Sequence, residues 1–163
     1  MLRIKHIIEE GSELDTIREL FHEYEKELNE DICFQSFDEE LKDPLKKYGP
    51  PSGDLMLAYW EDDVAGCIAL SKMKEGAACE MKRLYVKPEF RKHKIGNTLV
   101  DLIIDEGIKL GYDKMKLDTF ERLEAAINIY LKRGFVLTNA YYHNPLSGVV
   151  YMEKWLKVLT TVK

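Results

Sequence analysis

The sequence predicts a mixed α/β fold, one sheet with helices on its faces. Three observations predict it. Some segments repeat apolar residues at helical spacing, while others alternate or run apolar over short stretches. The two kinds are interleaved in the order β, α, α, then three strands, then α, β, α, β, β. No linker, internal repeat or low-complexity tract divides the 163 residues, so one domain over 1–163 is expected.

LRIKHII (2–8) alternates well enough for a first strand. Gly11 and Ser12 stop it, and Ser12 is placed to cap a helix. Leu14, Ile17, Phe21, Tyr24 and Leu28 then make one apolar helical face. A second helix is expected from Asp38 to Lys47, ended by the loop Gly49-Pro50-Pro51-Ser52-Gly53. LMLAYWE (55–61), VAGCIALSKM (64–73) and ACEMKRLYV (78–86) are separated by turn signals at Asp62-Asp63 and Glu75-Gly76. They read as an antiparallel meander, closed by Pro88, which has no N–H for a ladder. A long helix runs from about Lys94 to Leu110, with Gly111 as its stop. KMKLDTF (114–120) is a strand. Leu123, Ala126, Ile127 and Tyr130 share a face of the next helix, which stops at Gly134. FVLTNAYY (135–142) and GVVYMEKW (148–155) are the last strands, joined by 143–147.

Bulk properties exclude several classes. A net charge of −5 argues against nucleic acid, whose backbone calls for a basic face. No apolar run approaches the ~20 residues of a membrane helix, so no membrane partner is expected. MLRIKHIIEE has neither a long apolar core nor small cleavage residues, so no leader is read in it. Cys33, Cys67 and Cys79 are odd in number and form no C-x-x-C pair, which fits reduced thiols and a cytoplasmic location. The scattered histidines make no H-x-x-x-H, and no metal site is read.

One local feature runs against the acidic whole. RKHKIGNTL (91–99) gathers Arg91, Lys92 and Lys94 at a helix start, followed by Gly96. The first N–H groups of a helix lack intrahelical partners, and the macrodipole places partial positive charge there. Gly96 removes a side chain where a ligand would approach the backbone. A pyrophosphate suits such a site. A solvated basic turn before an ordinary helix explains the same residues equally well. Neither G-x-x-x-x-G-K-[ST] nor G-x-G-x-x-G after a strand is present.

The surrounding residues carry a resemblance. V86-x-P88-x-x-R91-x-x-K94-I95-G96-x-x-L99, following ACEMKRLYV, resembles the signature of the GNAT superfamily of acetyl-CoA-dependent N-acyltransferases, Q/R-x-x-G-x-G/A. Arg91 and Gly96 match it, while Lys94 replaces its first glycine. AAINIYLKRGF (125–135) is similar to a second signature, A-I-x-L-Y-x-x-x-G-F, through Tyr130 and Gly134-Phe135. Leu123 stands where many members have asparagine. YYHNPLSGVVYMEK (141–154) resembles the last hairpin of a bacterial branch whose substrates are mostly unassigned.

The resemblance implies acetyl-CoA as cofactor and a GNAT-like fold whose fourth and fifth strands splay apart. Pantetheine would pair with backbone around Leu84, Tyr85 and Val86, and the pyrophosphate would sit on Arg91, Lys92, His93, Lys94, Ile95, Gly96 and Asn97. It implies direct attack by a primary amine, of a small molecule or an amino-acid-like substrate, in a ternary complex. Glu80, eleven residues before Arg91, is the expected base, and Tyr130 the expected acid. Glu80 can equally pair with Lys82 on its own strand face, and Tyr130 can equally be a core aromatic. The acceptor wall is expected from Tyr24, Phe34, Tyr141, Tyr142, His143 and Asn144, with Glu23 and Glu27 read as a solvated helix face. An acyl-CoA sensor and a peptide acetyltransferase stay open beside the small-molecule enzyme, as does a homodimer.

Overall fold

A computed structural model of the chain describes residues 1–30, 32, 36–74 and 76–157. Seven strands form one sheet in the order β1-β2-β3-β4-β5-β7-β6. β1 (Leu2–His6), β2 (Asp54–Trp60), β3 (Asp63–Lys72) and β4 (Ala78–Val86) are antiparallel neighbours, so the expected meander is present. β5 (Lys114–Phe120) runs parallel to β4, and β7 (Val149–Trp155) lies between β5 and the short edge strand β6 (Val136–Thr138).

Helices cover both faces. α1 (Ser12–Leu28), α2 (Phe37–Lys42) and α3 (Pro44–Tyr48) lie on one, over a core that includes Leu14, Ile17, Phe21, Leu57 and Tyr85. α4 (Ile95–Lys109) and α5 (Glu124–Lys132) lie on the other, over Met81, Val86, Leu99, Ile103 and Met115. Each fully buried Leu, Ile or Phe contributes about 1.5–3 kcal/mol. At Gly107, α4 touches the sheet closely: a Cβ there would meet Met115 Cε at 2.9 Å and Leu156 Cδ1 at 3.1 Å.

Three expectations need correction. Ser12 is not the cap of α1. Gly11 holds that position, and the Ser12 carbonyl accepts the Thr16 hydroxyl at 3.0 Å. The helix expected over 38–47 divides at Asp43, because Pro44 has no N–H to continue it and instead opens α3. The strand expected over 135–142 stops at Thr138, and the chain then bends to bring Tyr141 and Tyr142 over the sheet. A 3-10 helix at Pro88–His93, between β4 and α4, was not foreseen.

β4 carries the features that build the site. Cys67 faces Tyr85 while Ala69 faces Lys82, so β4 has one residue more than β3 here. This bulge falls at Arg83, whose φ is 59°. Alternation therefore slips by one. Glu80, Lys82, Arg83 and Tyr85 face α1 to α3, whereas Met81, Leu84 and Val86 face α4 and α5. β4 and β5 pair only from Ala78 to Glu80 against Lys114 to Lys116. Beyond that register they separate, which is the expected splay. Among the described residues no helix is long and apolar enough to cross a membrane.

Candidate active site

The splay opens into a cleft of about 500 Å³, floored by Leu84, Tyr85 and Val86. The first turn of α4 forms one wall through Gly96 and Asn97, and the start of α5 forms the opposite wall. Tyr24, Glu27 and Leu28 of α1 close the third side. Among the described residues no side chain caps α4, which leaves its first amides and its positive dipole end facing the cleft.

Gly96 gives a direct test of that reading. A Cβ there would meet Ile129 Cδ1 at 3.5 Å and Val86 Cγ2 at 3.9 Å, both ordinary contacts. The protein's own packing therefore does not require glycine. A glycine inside a helix costs about 1 kcal/mol relative to alanine. Its effect here is to keep the cleft wall bare. With Arg91, Lys94 and Arg122 at the rim, the cleft fits a polyphosphorylated ligand.

The basic segment is arranged differently from residue to residue. Arg91 Nε donates to Val86 O at 2.8 Å, and its Nη2 lies 2.6 Å from both Glu27 oxygens. Lys87 pairs with Glu23 at 3.4 Å, and Tyr85 Oη donates to Glu23 at 3.2 Å. Glu23 and Glu27 remain on a partly solvated helix face, as expected, and also pair with cations beside the cleft. Lys94 takes φ 58°, ψ 29° as the residue before α4, the left-handed conformation that glycine adopts without strain. His93 stacks on Trp60, with centroids 3.9 Å apart, and does not line the cleft. Ile95 is buried beneath it, and Lys92 is exposed outside it.

Toward the sheet the cleft continues into a smaller cavity of about 60 Å³. Tyr24, Leu28, Leu84, Leu123 and Ala126 line both spaces. Tyr130 lines the inner one and packs edge-on against Phe135 at 5.8 Å. It is a core aromatic and a cavity residue together. Burial, with Tyr24 and Asp118 nearby, holds its hydroxyl protonated well above the usual tyrosine range.

Glu80 and Asp118 lie on the α1 side of the splay. Glu80 accepts the Tyr141 hydroxyl at 2.7 Å, and Asp118 accepts the Tyr142 hydroxyl. Lys82 Nζ stands between them, 3.7 Å from Glu80 and 3.8 Å from Asp118. Tyr141, Tyr142 and Tyr151 pack ring to ring over these groups. Burial and the adjoining carboxylates push the hydroxyls of Tyr141 and Tyr142 upward, so both remain donors. Asn144 holds the turn, donating to Tyr142 Oη at 3.2 Å and accepting from Leu146 N at 2.9 Å. His143 is exposed on the same loop. Phe34 lies outside the described residues.

Arg83, displaced by the bulge, makes a buried two-point pair with Glu40, at 2.8 and 3.1 Å. Its guanidinium also lies over the rings of Phe37, at 5.3 Å, and Tyr24, at 5.7 Å. Cys79 is buried, and desolvation pushes its thiol up to about 12, so it is no thiolate at neutral pH. Among the described residues no group of His, Cys, Asp and Glu is arranged to hold a metal ion.

Sequence reasoning missed Asp118, Arg83 and Arg122 as site residues. A signal existed for the first two. Asp is disfavoured in strands, and a Lys-Arg pair inside a central strand needs buried partners.

Residues 14–135 match the model of the acetyltransferase (GNAT) family. An uncharacterized N-acetyltransferase of Schizosaccharomyces pombe is 46% identical over 142 residues, covering 86% of this chain and 87% of that protein. An acetyltransferase of the GNAT family from Staphylococcus aureus Mu50 is similar in structure, with a TM-score of 0.75 at 22% identity over 95% of this chain and 100% of that one. A Bacillus subtilis acetyltransferase solved in complex with CoA gives a TM-score of 0.65 at 22% identity, over 95% of this chain and 99% of that one.

Proposed function

The chain belongs to the acetyltransferase (GNAT) family, and on that premise we propose that it acetylates a primary amine of a small molecule by direct attack in a ternary complex. It is an acyltransferase, and its cofactor is acetyl-CoA. The observation that carries the proposal is the continuity of the two spaces. A cleft suited to phosphates leads past Leu84 into a narrower cavity that Tyr130 lines.

The bound cofactor supplies an activated acetyl thioester. In this reading its pyrophosphate is held by Arg91, Lys94, Arg122 and the first amides of α4, and its pantetheine by the backbone of Leu84 to Val86. An alkylammonium with a pKa of about 10 cannot attack until it loses a proton. Glu80 is assigned that proton. Tyr130 is assigned the protonation of the departing thiolate, a role supported by a hydroxyl that stays protonated. Tyr141 and Tyr142 roof the carboxylates, which favours a small acceptor over a peptide. A cytoplasmic location belongs to the same reading, supported by the unpaired thiols of Cys67 and Cys79.

Isothermal titration with acetyl-CoA, followed by thiol release against a broad amine panel, tests the proposal. Binding with release on a subset of amines is expected. No binding at millimolar cofactor sinks the transferase reading, and binding without release on any amine turns it into an acyl-CoA sensor.

A further inference from the structure

Resting on the transferase reading above, we propose that Glu27 is a built-in counter-ion of Arg91: the cofactor's pyrophosphate displaces it on binding, and it recaptures Arg91 as CoA leaves.

The local structure comes first. Glu23 and Glu27 stand one turn apart on α1 and so share a face. Opposite them, Lys87 caps the 3-10 turn that follows β4, and Arg91 lies within that turn. Glu23 pairs with Lys87 at 3.4 Å, and Glu27 with Arg91 at 2.6 Å. The second pair enters the cleft, whose lining includes Glu27 and Arg91 but neither Glu23 nor Lys87. On the opposite wall, Arg122 donates to the carbonyl of Leu28 and lies 3.8 Å from Glu30. The end of α1 thus presents carboxylates and the negative end of its dipole to an arginine on each side of the cleft.

Arg91 does not depend on Glu27 for its place. Its Nε is fixed on Val86 O at 2.8 Å, and its guanidinium lies over the Tyr85 ring, 5.8 Å from the centroid. Both contacts come from the end of β4, so the strand aims the guanidinium. Glu27 meets Nη2 with both carboxylate oxygens and supplies charge there. A phosphate oxygen asks for the same nitrogen in the same cleft, so the two anions compete for one position.

Charge and exposure decide the exchange. Both side chains of the pair are 46% exposed, and pairs this open are weak, because water screens the attraction and solvates each partner once they part. A pyrophosphate is doubly charged, and it meets Lys94, Arg122 and the first amides of α4 together with Arg91. It therefore displaces a single carboxylate. Glu27 then stays beside the phosphates, and its repulsion loosens the complex. The same carboxylate neutralises Arg91 again when CoA departs, so Glu27 trades affinity for release.

The experiment titrates the whole chain with acetyl-CoA and with CoA by calorimetry, and follows dissociation by stopped flow. Glu27→Gln should bind both about three- to tenfold more tightly, mainly through slower dissociation. Its affinity should also fall more steeply with salt, since solution ions replace Glu27 beside Arg91. Glu23→Gln removes the same charge outside the cleft and should change affinity by less than about twofold. Arg91→Gln should weaken binding about tenfold, and Glu27→Gln added to it should gain distinctly less than it does alone. Unchanged binding by Glu27→Gln overturns the proposal. Weaker binding overturns it as well, and makes Glu27 a support for the arginine. An equal gain from Glu23→Gln, or additive effects of Glu27→Gln and Arg91→Gln, does the same, because the effect is then one of general charge. Glu27→Ala also lacks the carboxylate and serves if the glutamine variant does not fold. No binding of acetyl-CoA by the unmodified chain would instead sink the transferase reading itself.

Discussion

The two ends of the β4–β5 gap are built by opposite means. The outer end uses local backbone: a 3-10 turn, one left-handed residue, a bare glycine and the amides of a single helix. Its charged side chains are partly solvated, and the Arg91–Glu27 pair is 46% exposed on both sides. The inner end uses side chains gathered from distant elements. Glu40 comes from α2, Lys82 and Arg83 from β4, Asp118 from β5, and Tyr141 and Tyr142 from the loop after β6, all substantially buried. Screening makes exposed pairs worth about 0–1 kcal/mol, whereas breaking a buried pair costs several. Substitutions at the inner end should therefore change stability or chemistry strongly, and those at the outer end should tune binding.

The sharpest break of this contrast is Glu40→Ala. It leaves the Arg83 guanidinium buried without its carboxylate, and should cost about 3–5 kcal/mol in denaturant unfolding at pH 7. Burial alone would raise the Glu40 pKa, but the adjacent Arg83 charge and hydrogen bonds bring it below its ordinary 4.5. The unfolded chain thus binds the proton first as pH falls. The contribution of Glu40 is complete above about 4.5 and is lost as pH falls through the lower folded value. Parent and variant should converge in acid. A loss at pH 7 no larger than that from a rim variant such as Glu27→Ala would erase the distinction between the two ends.

Glu80→Gln addresses chemistry at the inner end. Turnover at neutral pH should drop about 100-fold, and should climb again as pH rises toward the amine's own pKa of about 10. Tyr130 does not mask this recovery, because burial keeps its hydroxyl protonated beyond that pH. Tyr130→Phe should lower the rate across the whole range without the climb. Parallel pH–rate profiles for the two variants would show that they do not divide base and acid between them.

This contrast also explains what could be read in advance. The outer end is legible because its parts are consecutive. Arg91, Lys94 and Gly96 fall within one turn and helix start, and Tyr130 to Gly134 fall within another helix end. The order of elements along the chain and the antiparallel meander of β2 to β4 followed from periodicity and turn signals. The inner end was less legible, since Lys82 and Asp118 meet only through a parallel pairing with a crossover helix between them. The Arg83 bulge shifts the parity of β4, so strict alternation would put Tyr85 on the wrong core. The shortening of β6 was likewise hidden, because FVLTNAYY has strand composition while Tyr141 and Tyr142 are held by partners on β4 and β5.

The smallest effect is expected at the outer end, from Lys94→Gly, and it is informative because two terms oppose. A left-handed conformation costs a non-glycine residue about 1–2 kcal/mol, and Lys94 has φ 58° and ψ 29°. Glycine removes that strain but returns about 0.5–1 kcal/mol of unfolded-chain entropy. The net gain should be up to about 1 kcal/mol, seen as a melting temperature raised by roughly 2–4 °C. The same change deletes one exposed cation at the phosphate rim, so affinity for acetyl-CoA should fall a few-fold and depend less on salt. Stability and affinity would move in opposite directions, as expected where a lysine is kept in a strained turn for the charge it offers. A variant that gains stability with unchanged affinity would make Lys94 a tolerated replacement only. One that loses stability would mean that the lysine stem makes contacts worth more than the strain of its backbone.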